Sequence, residues 1–377
     1  MADAPPAAQS HSSPAVEAPG TVPLAGLKVL DLSQVVAGPF CSQMLASLGA
    51  DVVKVEPPQG DDLRSITRYQ GREAHEDFFN ANNHSKRSIV LNLKRPEHLE
   101  VGRALAGRAD VMLENFAPGT AERLGMGWRH LHPLNPRLIY CSISGFGQEG
   151  PSRNRVATDP IIQAVSGVMS VTGEPGRDPI KVGAPLGDVI AGMYGAFTIV
   201  SAWHAVKADG QGRYIDISLQ AAMVAALGPR MGEPLHTGNS PGTVGNQNPM
   251  RVPGNAYKTA DGSYIQIIVH NERHWPPVCR ALGREAWIDD PRFATNRQRV
   301  AHRAEIDRLF AERLAERTTA EWMALLDKER VPAAPVNNYA QALADAQIAF
   351  RGQVRELEHL TSGTVRVVGP PWIMTGP

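Results

Sequence analysis

The sequence predicts an α/β protein: a doubly wound, mainly parallel sheet domain, with a smaller and more charged α+β unit after it. Three observations carry this. Short β-rich runs alternate with helical patterns from Leu27 to Ser218, and strands and helices alternating at these lengths pair in parallel. The composition is that of a folded chain, 42% apolar and 20% charged over 377 residues. The 35 glycines and 30 prolines supply the punctuation that many short elements need.

Taken in order, residues 1–23 are rich in Ala, Pro and Ser and contain no Lys or Arg. They lack the basic and apolar regions of a signal peptide and the arginines of a transit peptide, and read as a disordered leader. Leu27–Leu32 is a β-rich run, Ala37-Gly38-Pro39 a turn, and Phe40, Met44, Leu45 and Leu48 recur at helical spacing. Gly49 sits where a helix C-cap belongs, and Asp51–Glu56 reads as the next strand, stopped by Pro57-Pro58. The unit repeats more loosely: strand Ser88–Leu93, helix Pro96 to about Arg108, strand Asp110–Glu114, helix near Gly119–Leu124, strand Arg137–Ser144. The longest apolar run, Val189 to Val206, has roughly the length of a membrane span. It carries Gly192, Gly195, Thr198, Ser201 and His204 and reads instead as a buried core helix.

A strand at Arg213–Ser218 and a helix at Leu219–Leu227 follow. Residues 228–255, rich in Gly, Pro and Asn, read as a linker or excursion. Ala256–Thr259 and Tyr264–Val269 flank Asp261-Gly262 as a hairpin. Helices after Glu272, at Asn296–Arg317 and at Thr319–Arg330 complete the small unit. The expected organisation is thus a leader (1–23), a large domain (24–227), a linker and small domain (228–330), and a return segment of short strands (331–377) that completes the large domain.

Lys plus Arg equals Asp plus Glu, 38 against 38, so no charge excess favours nucleic acid. Cys41, Cys141 and Cys279 form neither a disulfide framework nor a zinc motif and fit a reducing compartment, the cytoplasm. Walker A, G-x-S-x-G and H-E-x-x-H sequences are absent, which removes P-loop nucleotidases, serine hydrolases of that type and zincins. Gly145–Gly150 (GFGQEG) matches G-x-G-x-x-G, but Pro151-Ser152-Arg153-Asn154-Arg155 follows without helical periodicity, so it reads as a glycine-rich loop. His130 and His132 lack metal-binding company and read as surface loop.

Asp188 is the sharper candidate. Val182–Asp188 (VGAPLGD) leads into the long apolar helix, whose N–H groups and dipole favour the charged carboxylate, and a carboxylate there can attack an acyl carbon. A plain N-cap is the bland reading and stays open on the local pattern. Asp159, before Pro160, is a turn residue or a second carboxylate near the site. Asn115 and Arg123 flank a loop after a strand, where open α/β sheets bind ligands. Arg123 there meets a phosphate or simply faces solvent.

Several segments together resemble one family. Val29–Glu56, Lys86–Ile89, Glu114–Gly119 (ENFAPG) followed by Glu122–Gly125 (ERLG), Ser144–Gly150 and Gly183–Asp188 are similar to the class III CoA-transferases, the CaiB/BaiF group. The match runs from about Leu24 to Leu227 and continues weakly to the C-terminus. The resemblance implies a Rossmann-like large domain, a smaller second domain and an interlocked homodimer. It implies that Asp188 is the nucleophile, passing through a mixed anhydride and an aspartyl-CoA thioester, with coenzyme A thioester as substrate and no other cofactor. By motif position it assigns Val36, Ala37, Leu91, Asn92, Leu93, Lys94, Asn115, Phe116, Ala117, Arg123 and Asp159 to the CoA site. A guanidinium fork suits a phosphate, so Arg123 is the phosphate partner.

Departures narrow the substrate. The α-methylacyl-CoA racemases of this fold carry a His-Asp pair where this chain has Thr158-Asp159, and proton exchange on two faces needs two bases. Formyl-CoA:oxalate members carry Gln at the position of Val36 and a run of glycines in the second domain, neither of which is seen here. The expectation is a transferase moving CoA from succinyl-CoA or another short acyl-CoA to a small carboxylic acid. A racemase of the same fold and a non-catalytic CoA-binding protein remain as alternatives. Neither nucleic acid nor membrane is an expected partner.

Overall fold

The computed structural model describes residues 22–66, 77–359 and 363–374. The leader expected at 1–23 falls outside them except for its last two residues. Strands β1 (Lys28–Asp31), β2 (Asp51–Glu56), β3 (Arg87–Val90), β4 (Val111–Glu114), β5 (Ile139–Ser144) and β6 (Arg213–Ser218) form one sheet in the order β3-β2-β1-β4-β5-β6. All five pairings are parallel. The chain winds outward from β1 to β3, then returns to the middle for β4, so β1 and β4 flank the switch point of a doubly wound sheet.

Alternation of side chains sorts the two faces. Leu30, Met112 and Tyr140 face a core shared with Ala106, from the helix Pro96–Ala106, and with Met126 and Leu131. The opposite face meets two helices, Ala37–Ser47 and Leu186–Asp209, which cross on glycines. A Cβ at Gly192 would lie 2.7 Å from the Ala37 carbonyl oxygen, and one at Gly195 would lie 3.1 Å from Cys41 Sγ. The long helix is buried along that side only: Ala191, Gly192, Gly195, Ala196 and Ile199 are inside, whereas Met193 and Phe197 are 50% and 70% exposed. It is the one described helix long and apolar enough to cross a membrane. The expectation of a buried core helix therefore holds for one face alone, because only the small side chains fit the close crossing.

Other boundaries move for local reasons. Ala37-Gly38-Pro39 is not a free turn but the start of the first helix, where a proline removes only an N–H without an intrahelical partner. The strand expected to Leu93 ends at Val90, and Leu91–Lys94 turn toward the next helix. Residues 228–255 include a helix, Gly228–Thr237, which its two glycines and two prolines had concealed.

The chain divides into two compact units. The first holds residues up to Val168, Lys181–Leu235 and the segment from Ala346 on; the second holds Met169–Ile180 and His236–Asp345. In the second, β7 (Gly254–Lys258), β8 (Tyr264–Ile268) and β9 (Ala333–Pro335) form an antiparallel sheet. Pairing of β9 with β8 places residues 331–345 in this unit, so the return segment begins at Ala346 rather than at 331. The helix expected over 296–317 is two, Asn296–Ala301 and Arg303–Leu314, broken at His302 without a Gly or Pro. The core of this unit gathers Trp275, Phe293, Phe310 and Trp322. The return segment forms a separate hairpin, β10 (Val354–His359) with β11 (Gly363–Val368), and adds no strand to the large sheet.

Candidate active site

With all six strands pointing one way, the loops that follow them gather along one edge, the edge where open α/β sheets bind ligands. The candidate residues sit in those loops or in the helical turns beside them: Val36 and Ala37 after β1, Leu91–Lys94 after β3, Asn115–Ala117 and Arg123 after β4, Asp159 after β5. Asp188 lies in the first turn of the long helix, which runs back from that edge toward β6.

Asp188 is not the helix cap. Pro185 occupies that position, Asp188 is the third helical residue, and its carboxyl group makes no hydrogen bond to a described residue. The cap comes from elsewhere. Asp159, first residue of the helix Asp159–Val165, turns Oδ1 to the backbone N–H of Gly187 at 2.7 Å and, more loosely, of Asp188 at 3.4 Å. Gln163 Nε2 donates to the other Asp159 oxygen at 2.7 Å and to the Ala184 carbonyl, while its Oε1 accepts the Val182 N–H. The VGAPLGD loop is thus tied down at both ends by one Asp–Gln pair. Gly187 leaves room for this approach, since a Cβ there would sit 3.1 Å from Asp159 Oδ1.

This reverses one expectation. The N–H groups that would hold Asp188 ionised are spent on Asp159. Burial, with the Asp159 charge adding to it, pushes the Asp188 carboxyl up to about 7. Its helix face is shared with Gly192, one turn on, which packs on the backbone of Ala37. Asp188 is therefore directed along the side of the helix that meets the start of the first helix. Val36 caps that helix without a side-chain hydrogen bond.

At the switch point, the Asn115 amide bridges the two central loops: its Oδ1 accepts the Gln34 N–H and its Nδ2 donates to the Gln34 carbonyl, both at 2.8 Å. Gly38 must be bare here, because a Cβ would collide with Ser33 and approach Asn115. The side chains of Val36 and Ala37 are buried, so what they offer a ligand is backbone. Leu91 is buried and Leu93 packs on the same core. Asn92 turns its side chain back to the Lys94 N–H, leaving the Lys94 side chain exposed. Phe116 packs against that core as well, Ala117 is exposed, and Arg123 is exposed with its guanidinium on Thr120 Oγ1.

The GFGQEG loop is built around an acid row. Glu114, Ser142 and Asp216 stand in register on β4, β5 and β6. Gln148 closes over them, its backbone N–H on Asp216 at 2.9 Å and its amide on Ser142 at 2.8 Å. No helix opens at Gly150, and the next one begins at Asp159. His130 pairs with Glu122 at 3.0 Å and His132 stacks on Trp128, so the two imidazoles separate. Among the described residues no cluster of His, Cys, Asp or Glu is arranged to hold a metal. The reading from sequence missed Gln163, Gln34 and Gln148. Gln163 was within reach, four residues after Asp159 on one helix face.

Comparison with known proteins agrees with the fold. The model of CoA-transferase family III matches residues 24–376. The chain is 37% identical to the succinate–glutarate CoA-transferase of Agrobacterium fabrum, covering 94% of this chain and 90% of that one. It is 36% identical to the succinyl-CoA:glutarate CoA-transferase of Homo sapiens, covering 92% and 79%. A CaiB/BaiF family protein from Brucella suis superposes with a TM-score of 0.85 at 36% identity, covering 94% and 93%. With family model, sequence identity and fold in agreement, the chain belongs to CoA-transferase family III, the CaiB/BaiF group, and is a CoA-transferase.

Proposed function

We propose that this enzyme moves CoA from succinyl-CoA to a short dicarboxylic acid of the glutarate class, with Asp188 as the nucleophile. The single observation that carries the role of Asp188 is a carboxyl group, raised to about 7, that no described side chain or backbone group occupies. The substrates are those in the names of the two relatives above.

The Asp188 carboxylate attacks the thioester carbonyl, forming a mixed anhydride as CoA thiolate leaves. The thiolate attacks the Asp188 carbonyl, giving the aspartyl-CoA thioester and free succinate. The acceptor carboxylate attacks that carbonyl, forming a second anhydride and again releasing thiolate. The thiolate then attacks the acceptor carbonyl, and the new acyl-CoA leaves with Asp188 restored. Each step exchanges one acyl derivative for another, so no resident cofactor is needed. A carboxylate that burial has left poorly stabilised is the more reactive nucleophile. Asn115, Phe116 and Ala117, with the backbone of Val36 and Ala37 and the Leu91–Lys94 turn, line the CoA path, and Arg123 meets a phosphate. Asp159 acts by placing Asp188.

We further propose a cytoplasmic homodimer in which a second copy covers the exposed Met193 and Phe197 on the long helix. Sedimentation of the native protein and of Phe197→Asp tests this: a native dimer that dissociates in the variant supports it, and a native monomer ends it. The catalytic reading is tested by incubation with succinyl-CoA, trapping with hydroxylamine and peptide mass spectrometry. A hydroxamate at Asp188, lost in Asp188→Asn, is expected. An unmodified protein that still turns over would end the covalent route.

A further inference from the structure

The loop between β1 and the first helix holds a conformation that its own residues disfavour. Val35 has φ +67, in the left-handed region, where a β-branched side chain is a rare outlier. Something must hold it there. The Val35 N–H points at the Asp61 carboxylate, 3.3 and 3.2 Å from its two oxygens. Asp61 is fixed in turn: Oδ1 accepts the Leu63 N–H at 3.0 Å and Oδ2 pairs with Lys54 Nζ at 3.0 Å, both side chains essentially inaccessible. The same ammonium donates to the Ser33 carbonyl at 2.7 Å, two residues before Val35. Val36, on the other side of it, packs with Leu63 and Phe79. Around the pair stand Glu56, which accepts the Asp61 N–H, and Arg64, which pairs with Glu56 and lies over the Phe79 ring.

We propose that the buried Lys54–Asp61 pair is a positioning device: it grips the loop before and at Val35, forces the left-handed turn, and so sets the path of Gln34–Ala37. The inference rests on the proposed function in giving that loop to CoA. An ion pair on β2 and the turn after it thereby shapes a binding loop without touching the ligand. An amide at position 61 cannot replace the carboxylate. Its two heavy atoms meet three donors, from Val35, Leu63 and Lys54, and one of its own would be an NH₂.

The test measures CoA affinity by calorimetry, KM and kcat for the acyl-CoA, and backbone amide exchange of residues 33–37. It uses the native enzyme, Asp61→Asn, the double variant Asp61→Asn/Val35→Gly, and Val35→Pro. In Asp61→Asn, loop exchange should quicken, CoA binding should weaken about tenfold, and KM should rise with kcat changed about twofold or less. Glycine accepts positive φ without strain, so Val35→Gly should restore most of the affinity while the lowered melting temperature of Asp61→Asn persists. A merely stabilising ion pair would give no such rescue. Proline cannot adopt this φ, so Val35→Pro should keep its circular dichroism and lose CoA binding, which serves if Asp61→Asn fails to fold. Native-like affinity in Asp61→Asn or Val35→Pro, or no rescue by glycine, overturns the proposal and leaves the function standing. A native enzyme that binds no CoA overturns the functional reading, and the loop's part in it as well.

Discussion

Glu114 at the end of β4 and Asp188 at the start of the long helix carry the same perturbation in opposite settings. Each carboxyl is pushed up to about 7, chiefly by burial and further by a neighbouring aspartate, Asp216 for the first and Asp159 for the second. Glu114 is enclosed: it accepts the Phe116 N–H at 2.8 Å and is hydrogen-bonded to Ser142 and Tyr140. Asp188 has the burial without hydrogen-bond partners among the described residues. A shifted acid whose hydrogen bonds are complete is a strut, here for the loop that begins at Asn115. One whose hydrogen bonds are missing is available to a substrate. The raised value alone does not separate the two; the list of partners does.

Asp188→Asn should lower kcat by at least about a thousandfold, since the covalent route is lost, while calorimetry still finds CoA binding. Equal activity in the variant would erase the difference between the two acids. Asp159→Asn should cost about tenfold to a hundredfold in kcat by loosening the VGAPLGD loop. Removing the neighbouring charge should also move the rising limb of the pH–rate profile to lower pH. That limb is the third expectation: kcat/KM should rise with pH through about 7 and level off above it, as Asp188 becomes anionic.

Stability should run the other way. Both carboxyls keep their protons in the folded state over the window from about pH 4 to 7, where the unfolded chain has released them. Their contribution is intact below that window and is lost as pH rises through it. Asp188→Asn should therefore be stabilised relative to native by a few kcal/mol at pH 8 and by little at pH 4, as read from denaturant melts. Glu114→Gln should show the smallest effect on activity, within about twofold, because a glutamine still accepts the Phe116 N–H. A large loss of kcat in Glu114→Gln would make the strut a participant.

The parallel sheet was legible because short β-rich runs alternate with helical patterns, and Asp188 because a bare glycine and an apolar helix bracket it. What sits around Asp188 was less so. The capping of Gly187 by Asp159 joins positions 28 residues apart, and no spacing rule reaches across that loop, so a local pattern gave Asp188 the role of cap that Asp159 supplies from another helix. The charge state was misjudged for the same reason, since it depends on who holds the N–H groups. Likewise Asn115 could be placed at the ligand edge from its strand, but its bridge to Gln34 spans 81 residues and belongs to the fold. In the second unit, the break at His302 carries no helix-breaking residue, and β9 is only three residues long.

The hairpin β10–β11 is synthesised after the whole second unit. Its residues belong to the unit that holds Asp188, and the backbone of Val368 hydrogen-bonds the ring of His84, just before β3. At a synthesis rate of ~10 residues per second, the ribosome needs about half a minute to travel from His84 to Val368. For that time the first unit waits for its last piece while the whole second unit is translated and free to fold. A chain stalled or cleaved between His236 and Asp345 would carry every candidate catalytic residue and still leave His84 without its Val368 partner. The piece that completes the first unit thus lies far in sequence from Asp188.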